Sequence, residues 1–276
     1  MRRLFSLVSF IPDWRIDDLM VSFAAPGGGV GPHRDNYDVF LCQGIGVREW
    51  HVTEREVPSD PEASNDIALT QTFSDQAYAA QEGDVLYLPP GAPHWGTAKR
   101  ACITYSIGMR APQLSDLVED RPDDVHGDPF FTDPDLAIDE ALPGYISVAA
   151  AERAASLVSA PGSQLASVST ALGQCATRTK DWITPDLPDT AAVASALEWL
   201  NRGHKLDVHG MSRIAWSDSH AFVNGRAMLL PPDGAGFIAG ICRTRSLEGP
   251  LSDAPDMVNL ATWALRSGAF EIPGTF

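Results

Sequence analysis

Residues 31–35 read GPHRD and residues 89–96 read PPGAPHWG, and between them they carry His33, Asp35 and His94. On a β-strand the side chains of residues i and i+2 leave the same face, so His33 and Asp35 can grip one metal ion from one side. His94, on a second strand returning beside them, would complete a set of two imidazoles and one carboxylate. Such a set occupies one face of the ion, leaves positions open, and suits non-heme Fe(II) that must also bind a cosubstrate and O2. A His-x-Asp alone is more often a solvated turn, so the flanking sequence has to decide. Ahead of the pair, PGGGVGPH is a loop whose tightness calls for glycine; after it, YDVFLCQG is an apolar run of buried-strand type. The second ligand segment, EGDVLYLPPGAPH, reads as turn, strand and Pro-Gly turn.

Composition bounds the rest. The chain has 276 residues, 44% of them apolar, and a net charge of −16 from 36 acidic against 20 basic side chains. That supports one large domain, or a domain with a smaller companion. No stretch is long and apolar enough to span a bilayer, so no membrane partner is expected. The opening MRRLFSLVSF lacks a small-residue cleavage site and reads as a strand or core segment, not a signal peptide. Cys42, Cys102, Cys175 and Cys242 form no CxxC pair and read as reduced thiols in a cytoplasmic protein. The negative charge disfavours direct nucleic-acid binding, which needs a positive surface. It favours a basic partner, although solubility alone would account for it.

The expected fold class is α+β. Residues 1–112 carry short apolar segments separated by Gly, Pro and Asp-rich turns, the pattern of a double-sheet β fold of jelly-roll or cupin type; VPSDPEASNDI (57–67) is a polar loop within it. Residues 113–180 change character: APQLSDLVED, DPDLAIDEAL and YISVAAAERAASLVSA have helical spacing and helix formers. The Pro- and Asp-rich TRTKDWITPDLPDT follows as a linker. Residues 185–276 form a small module with a helix at AAVASALEWLNRG, strands at KLDVHG, RIAWSD, HAFVNGRAMLL and FIAGI, and a hairpin turn at Asn224-Gly225. A second helix at DMVNLATWALRSG makes the module winged-helix-like, with no basic recognition helix.

Three blocks resemble one family: PDWRIDDLMVSFAAPGGGVGPHRDNYDVFLCQGIGVREWHV, GDVLYLPPGAPHWG and YSIGMRAP. They are similar to the bacterial ribosomal oxygenases, which are JmjC-type dioxygenases with a double-stranded β-helix (cupin) core. Members use Fe(II), 2-oxoglutarate and O2 to hydroxylate an arginine of a large-subunit ribosomal protein. The resemblance implies metal ligation by His33, Asp35 and His94. It places Arg48 on the distal carboxylate of 2-oxoglutarate, where a guanidinium can make two parallel hydrogen bonds; without it, Arg48 would read as a surface charge. It implies a ribosomal-protein substrate and a homodimer built on residues 113–180.

Two departures from the family stand out. The family usually has a long stretch ahead of PDWRIDD, so either the start of this sequence is misplaced or the double sheet is N-terminally shortened. A serine expected to help hold 2-oxoglutarate aligns with Ala24, and Thr104 and Tyr105 are the hydroxyls that could replace it. Asp17, Asp18 and Asp38 could attract a cationic substrate, with Tyr37 and Trp95 lining its groove; a solvent-facing or packing role is the plain alternative for each. Two other readings are a non-catalytic metal- and 2-oxoglutarate-binding protein, and a cupin hydrolase or isomerase that leaves Arg48 without a role.

Overall fold

The computed structural model of the chain describes residues 2–62, 68–118, 128–133, 142–157 and 165–273. It divides into two units, Ile16–Ala111 and a second made of Met1–Arg15 with Pro112–Phe276.

In the first unit, seven strands form two antiparallel sheets. One has the order β1 (Ile16–Ala24), β7 (Cys102–Met109), β2 (Val39–Ile45), β5 (Val85–Leu88); the other is β4 (Gln76–Ala80), β3 (Arg48–Val52), β6 (His94–Ala98). Period-2 alternation explains why they pack. Val39, Leu41 and Leu88 of the four-stranded sheet meet Trp50 and Ala80 of the three-stranded sheet in one buried cluster. Ala24, Ala98 and Cys102 make a smaller one. The sharp reversal from β2 to β3 falls at Gly46, whose φ of 73° lies in the left-handed region. β4 was not anticipated: QAYAA has no apolar run, and four of its five residues are exposed.

The second unit contains α1 (Arg2–Phe5), α2 (Leu114–Leu117), α3 (Val148–Leu157), α4 (Leu165–Thr177), α5 (Thr190–Asn201), α6 (Gly234–Thr244) and α7 (Pro255–Arg266). Its strands are β8 (Lys205–Asp207), β9 (Ile214–Trp216), β10 (His220–Val223), β11 (Arg226–Leu229) and β12 (Ser246–Glu248), in sheets ordered β11-β10-β9 and β12-β8. Asp189 caps α5 by accepting from the Ala192 amide at 2.7 Å. Asn224, at φ 49°, and Gly225 make the two-residue turn between β10 and β11. Among the described residues no helix is long and apolar enough to cross a membrane.

Two expectations are corrected. FIAGI (237–241) belongs to α6 and is not a strand: Ile238, Ile241 and Cys242 are its buried residues, an i, i+3, i+4 spacing that selects a helix over a β-branched preference for strand. The N-terminal segment, expected as a strand or a core segment, is a helical turn and a 3-10 turn and not a strand, while the burial of Val8 agrees with the core alternative. The polar loop 57–67 is described up to residue 62, and the helix expected over 133–142 lies, apart from its ends, outside the described residues.

Helix α4 and the C-terminal strands share a core. Phe222 of β10 packs with Leu172, Val168 and Leu114, together with Trp14 and Phe131. Arg15 is buried beside the same aromatics and pairs with Asp133 at 3.0 Å. At Gly173 a Cβ would overlap the Phe222 ring. Gly173→Ala is therefore expected to lower the unfolding free energy by about 1–3 kcal/mol, the cost of overpacking a filled core; urea denaturation measures it.

Candidate metal centre

His33 and His94 exchange both backbone hydrogen bonds, at 2.9 and 2.8 Å. An antiparallel pair bonded in this way sends both side chains to the same face, and the imidazole centroids lie 4.2 Å apart. The pairing is an isolated bridge. Its surroundings hold it in place. The Pro32 carbonyl accepts from Leu69 N at 2.9 Å, and the Asp35 carbonyl accepts from Gly91 N at 2.7 Å, which ties the PPGAPH turn to the first ligand segment. At Gly29 a Cβ would strike the Gly96 carbonyl, so the Gly-rich loop approaches β6 where only glycine fits. The result brings one ligand atom from each of His33, Asp35 and His94 within 4.8 Å of one another, with His94 Nε2 at 3.7 Å from Asp35 Oδ2.

Hydrogen bonding selects the tautomers. His33 Nδ1 lies 2.9 Å from the Gly31 carbonyl, and His94 Nδ1 lies 2.9 Å from the Ala92 carbonyl. A carbonyl only accepts, so each Nδ1 carries the proton and each Nε2 keeps its lone pair for a metal. Burial, reinforced by the neighbouring His33, pushes His94 down to about 4, which keeps it neutral and able to ligate. Burial raises Asp35, and His33 opposes that rise.

Arg48 lies deeper on the inward face of β3. It is buried, its guanidinium sits 4.5 Å from the centroid of the Trp50 ring, and Trp50 in turn lies 6.1 Å from the His94 ring. Its polar contacts are weak: Nη1 donates to Ser22 Oγ at 3.5 Å, Nη2 donates to the Gly96 carbonyl at 3.4 Å, and buried Nε has no partner. Among the described residues no carboxylate pairs with it. Burial lowers its pKa, against a smaller raising effect of Cys102. A buried cation without a counter-ion is costly, so the interior between triad and Arg48 is chemically suited to a small dianion.

The other candidate residues separate by strand face. Thr104 points inward and is buried; Tyr105, its neighbour, is on the outward face opposite Val21, with its ring packed across Gly44. Trp95 likewise leaves β6 on the side away from His94. It stacks on His51 at 4.1 Å, donates to the Phe73 carbonyl at 2.7 Å, and packs with Val57 and Leu69. Asp17 pairs with Arg110 at 2.6 Å, and Asp38 accepts from the Tyr87 hydroxyl at 2.6 Å. Tyr37 joins the triad to the acidic group: burial and then Asp35, Asp18 and Asp17 push it up to about 12, while a Cβ at Gly108 would touch both Asp18 and Tyr37. Sequence reasoning passed over Trp50 and Ser22. Trp50 was findable, being two residues from Arg48 on one strand.

Comparison with known proteins gives the same direction. Residues 3–117 match the JmjC domain family. The chain is 44% identical over 133 residues to "Ribosomal protein uL16 3-hydroxylase" of Escherichia coli, covering 46% of this chain and 35% of that protein. It is 37% identical over 141 residues to "Probable ribosomal oxygenase" of Haemophilus influenzae, covering 50% and 34%. The chain thus spans about a third of the length of these curated relatives. Among solved structures, the E. coli ribosomal oxygenase YcfD in complex with cobalt and 2-oxoglutarate superposes with a TM-score of 0.68 at 25% identity, over 99% of this chain and 74% of that one. YcfD with cobalt and succinic acid gives 0.61, at the same identity and coverage.

Gly96 tests the packing of the inner pocket. A Cβ there would come within 2.6 Å of the Trp50 ring and 2.8 Å of Arg48 Nε. Gly96→Ala is expected to cost about 1–3 kcal/mol of stability and to shift near-ultraviolet circular dichroism as Trp50 moves, both measurable on the purified chain.

Proposed function

We propose that this chain is an Fe(II)- and 2-oxoglutarate-dependent oxygenase, a reading supported by the match of residues 3–117 to the JmjC domain family and by the similarity to proteins named ribosomal oxygenase and ribosomal protein hydroxylase. Its proposed substrate is an arginine side chain of a large-subunit ribosomal protein. The observation that carries the reading is the pairing of two features in one interior: a His, His, Asp cluster, and a buried arginine that, among the described residues, has no carboxylate of its own.

In this reading His33 and His94 hold iron through Nε2 and Asp35 through its carboxylate. Fe(II) bound with 2-oxoglutarate and O2 supplies the oxidising chemistry that converts a C–H bond to C–OH, with succinate and CO2 as the other products. The chain's own work is placement. Carbonyl contacts at Gly31 and Ala92 keep both imidazoles oriented and neutral. Arg48 receives the distal carboxylate, and Trp50 packs against the guanidinium and helps keep water from it. Asp18, beside Tyr37, gives the substrate side a negative charge that suits an arginine, and the chain's net charge of −16 steers a basic partner toward it. Asp17, Asp38 and Trp95 are the weaker candidates for substrate contact, since each is held by another side chain or backbone group.

The same reading takes 1–112 as the catalytic core, 113–180 as a dimerisation section and 185–276 as a winged-helix-like module of a cytoplasmic homodimer.

The direct test is mass spectrometry of an arginine-containing ribosomal-protein peptide incubated with the chain, Fe(II), 2-oxoglutarate and O2. The expected result is one added oxygen on arginine that requires 2-oxoglutarate. Succinate without peptide oxidation would reject the substrate but keep the oxygenase; neither product would reject the oxygenase. Two variants separate the parts. His33→Ala is expected to abolish stoichiometric metal binding. Arg48→Ala is expected to retain the metal while raising the 2-oxoglutarate requirement roughly 10- to 100-fold, the loss of a charge-assisted contact.

A further inference from the structure

We infer that the outer edge of strand β1, from Leu19 to Ala24, is an interface on which a second copy of this chain pairs, antiparallel and centred on Val21. The inference concerns association of the chain and stands apart from the oxygenase reading.

Strand β1 lies at an edge but has the sequence of an interior strand. The four-stranded sheet ends on it, and among the described residues no backbone hydrogen bond beyond those to β7 reaches Leu19–Ala24. The run reads LMVSFA, apolar at every position but Ser22. Strands covered on both faces have such runs, whereas natural edges are guarded by charge, proline or a bulge. Here the guards stop short. Asp17, Asp18 and a register shift occupy the start of the strand, and no charge or proline follows before Pro26. Exposure agrees on both faces. Outward-facing Val21 and Phe23 are 51% and 72% exposed, and Met20, on the inward face, is 57% exposed. Met20 pairs with Ser106, which pairs in turn with core residue Leu41, so the interior between the sheets stands open along this edge.

The edge is complementary to itself. Strands related by a two-fold axis across a sheet run antiparallel, and residues directly opposite share a face. Centred on Val21, the pairing sets Val21 against Val21, Leu19 against Phe23 and Met20 against Ser22, which gives the outward face a continuous apolar row. It sets Asp18 against Ala24 and Asp17 against Ala25. No carboxylate of one β1 then opposes a carboxylate of the other, an arrangement that would be destabilising and that matters in a chain of net charge −16. Leu19–Ala24 itself carries no charge with which to select a basic or an acidic strand. The assembly closes at two copies, because each edge is consumed by the other.

The test is thiol cross-linking of the full chain. Its four cysteines are buried, so an introduced surface cysteine dominates the reaction with a bis-thiol reagent that reaches ~5 Å, the spacing of directly opposed residues on neighbouring strands. The three positions used, 19, 21 and 23, are half-exposed or exposed, so the substitutions spare the core. Val21→Cys is expected to link to its own copy roughly ten times faster than Leu19→Cys or Phe23→Cys does alone, since only position 21 opposes itself. An equal mixture of Leu19→Cys and Phe23→Cys is expected to link across the two variants. Val21→Cys that links no faster than Leu19→Cys alone overturns the pairing, as does a mixture that links no faster than its components. Association through any other surface gives that second pattern. Should Val21→Cys not fold, the mixture decides alone.

Discussion

The reciprocal backbone bonds between His33 and His94 hold together segments that lie far apart in the sequence. Everything at the candidate centre depends on that bridge. It sets the two imidazoles on one face, and the turn bonded to the Asp35 carbonyl brings the third ligand beside them. The bridge is one isolated residue pair, tied on either side of His33 by the bonds from Leu69 to the Pro32 carbonyl and from Gly91 to the Asp35 carbonyl; a one-residue slip would turn a ligand to the wrong face. The geometry of the candidate centre is thus written in backbone constraints: glycines that allow close approach, flanking bonds that fix the bridge, and carbonyls that fix the imidazole tautomers.

Arg48 adds a constraint of another kind. Its burial against Trp50 leaves a positive charge that, among the described residues, makes only long contacts to a hydroxyl and a carbonyl. Water would satisfy it better than this interior does. A structure that tolerates such a group gains from any ligand that brings a carboxylate, and the triad on the same face of the interior favours one whose other end is a metal chelator. The proposed affinity for a 2-oxo diacid rests on the two features together; neither alone requires it.

How much of this the sequence displays can be traced residue by residue. The Gly-rich loop, the Pro-Gly turn and the apolar runs mark the double-sheet architecture and put His33, Asp35 and His94 within reach of one another. Residues adjacent in sequence were harder to place. Thr104 and Tyr105 were paired as candidates, and so were His94 and Trp95, yet period 2 sends the members of each pair to opposite faces. Strict alternation would have separated them. Strand β4 escaped notice because Ala and Gln carry no hydrophobic signal, its order coming from pairing with β3. The segment 237–241 reads as strand by composition and folds as helix because its buried positions recur at helical spacing.

In the proposed oxygenase, one interior site holds a metal and a 2-oxo diacid at the same time. The most direct measurement is visible absorption of the anaerobic Fe(II)-loaded chain as 2-oxoglutarate is added. A new band that needs both components and disappears in Asp35→Ala is the expected result. Iron binding with no response to 2-oxoglutarate, or a band that survives in Asp35→Ala, would contradict the account.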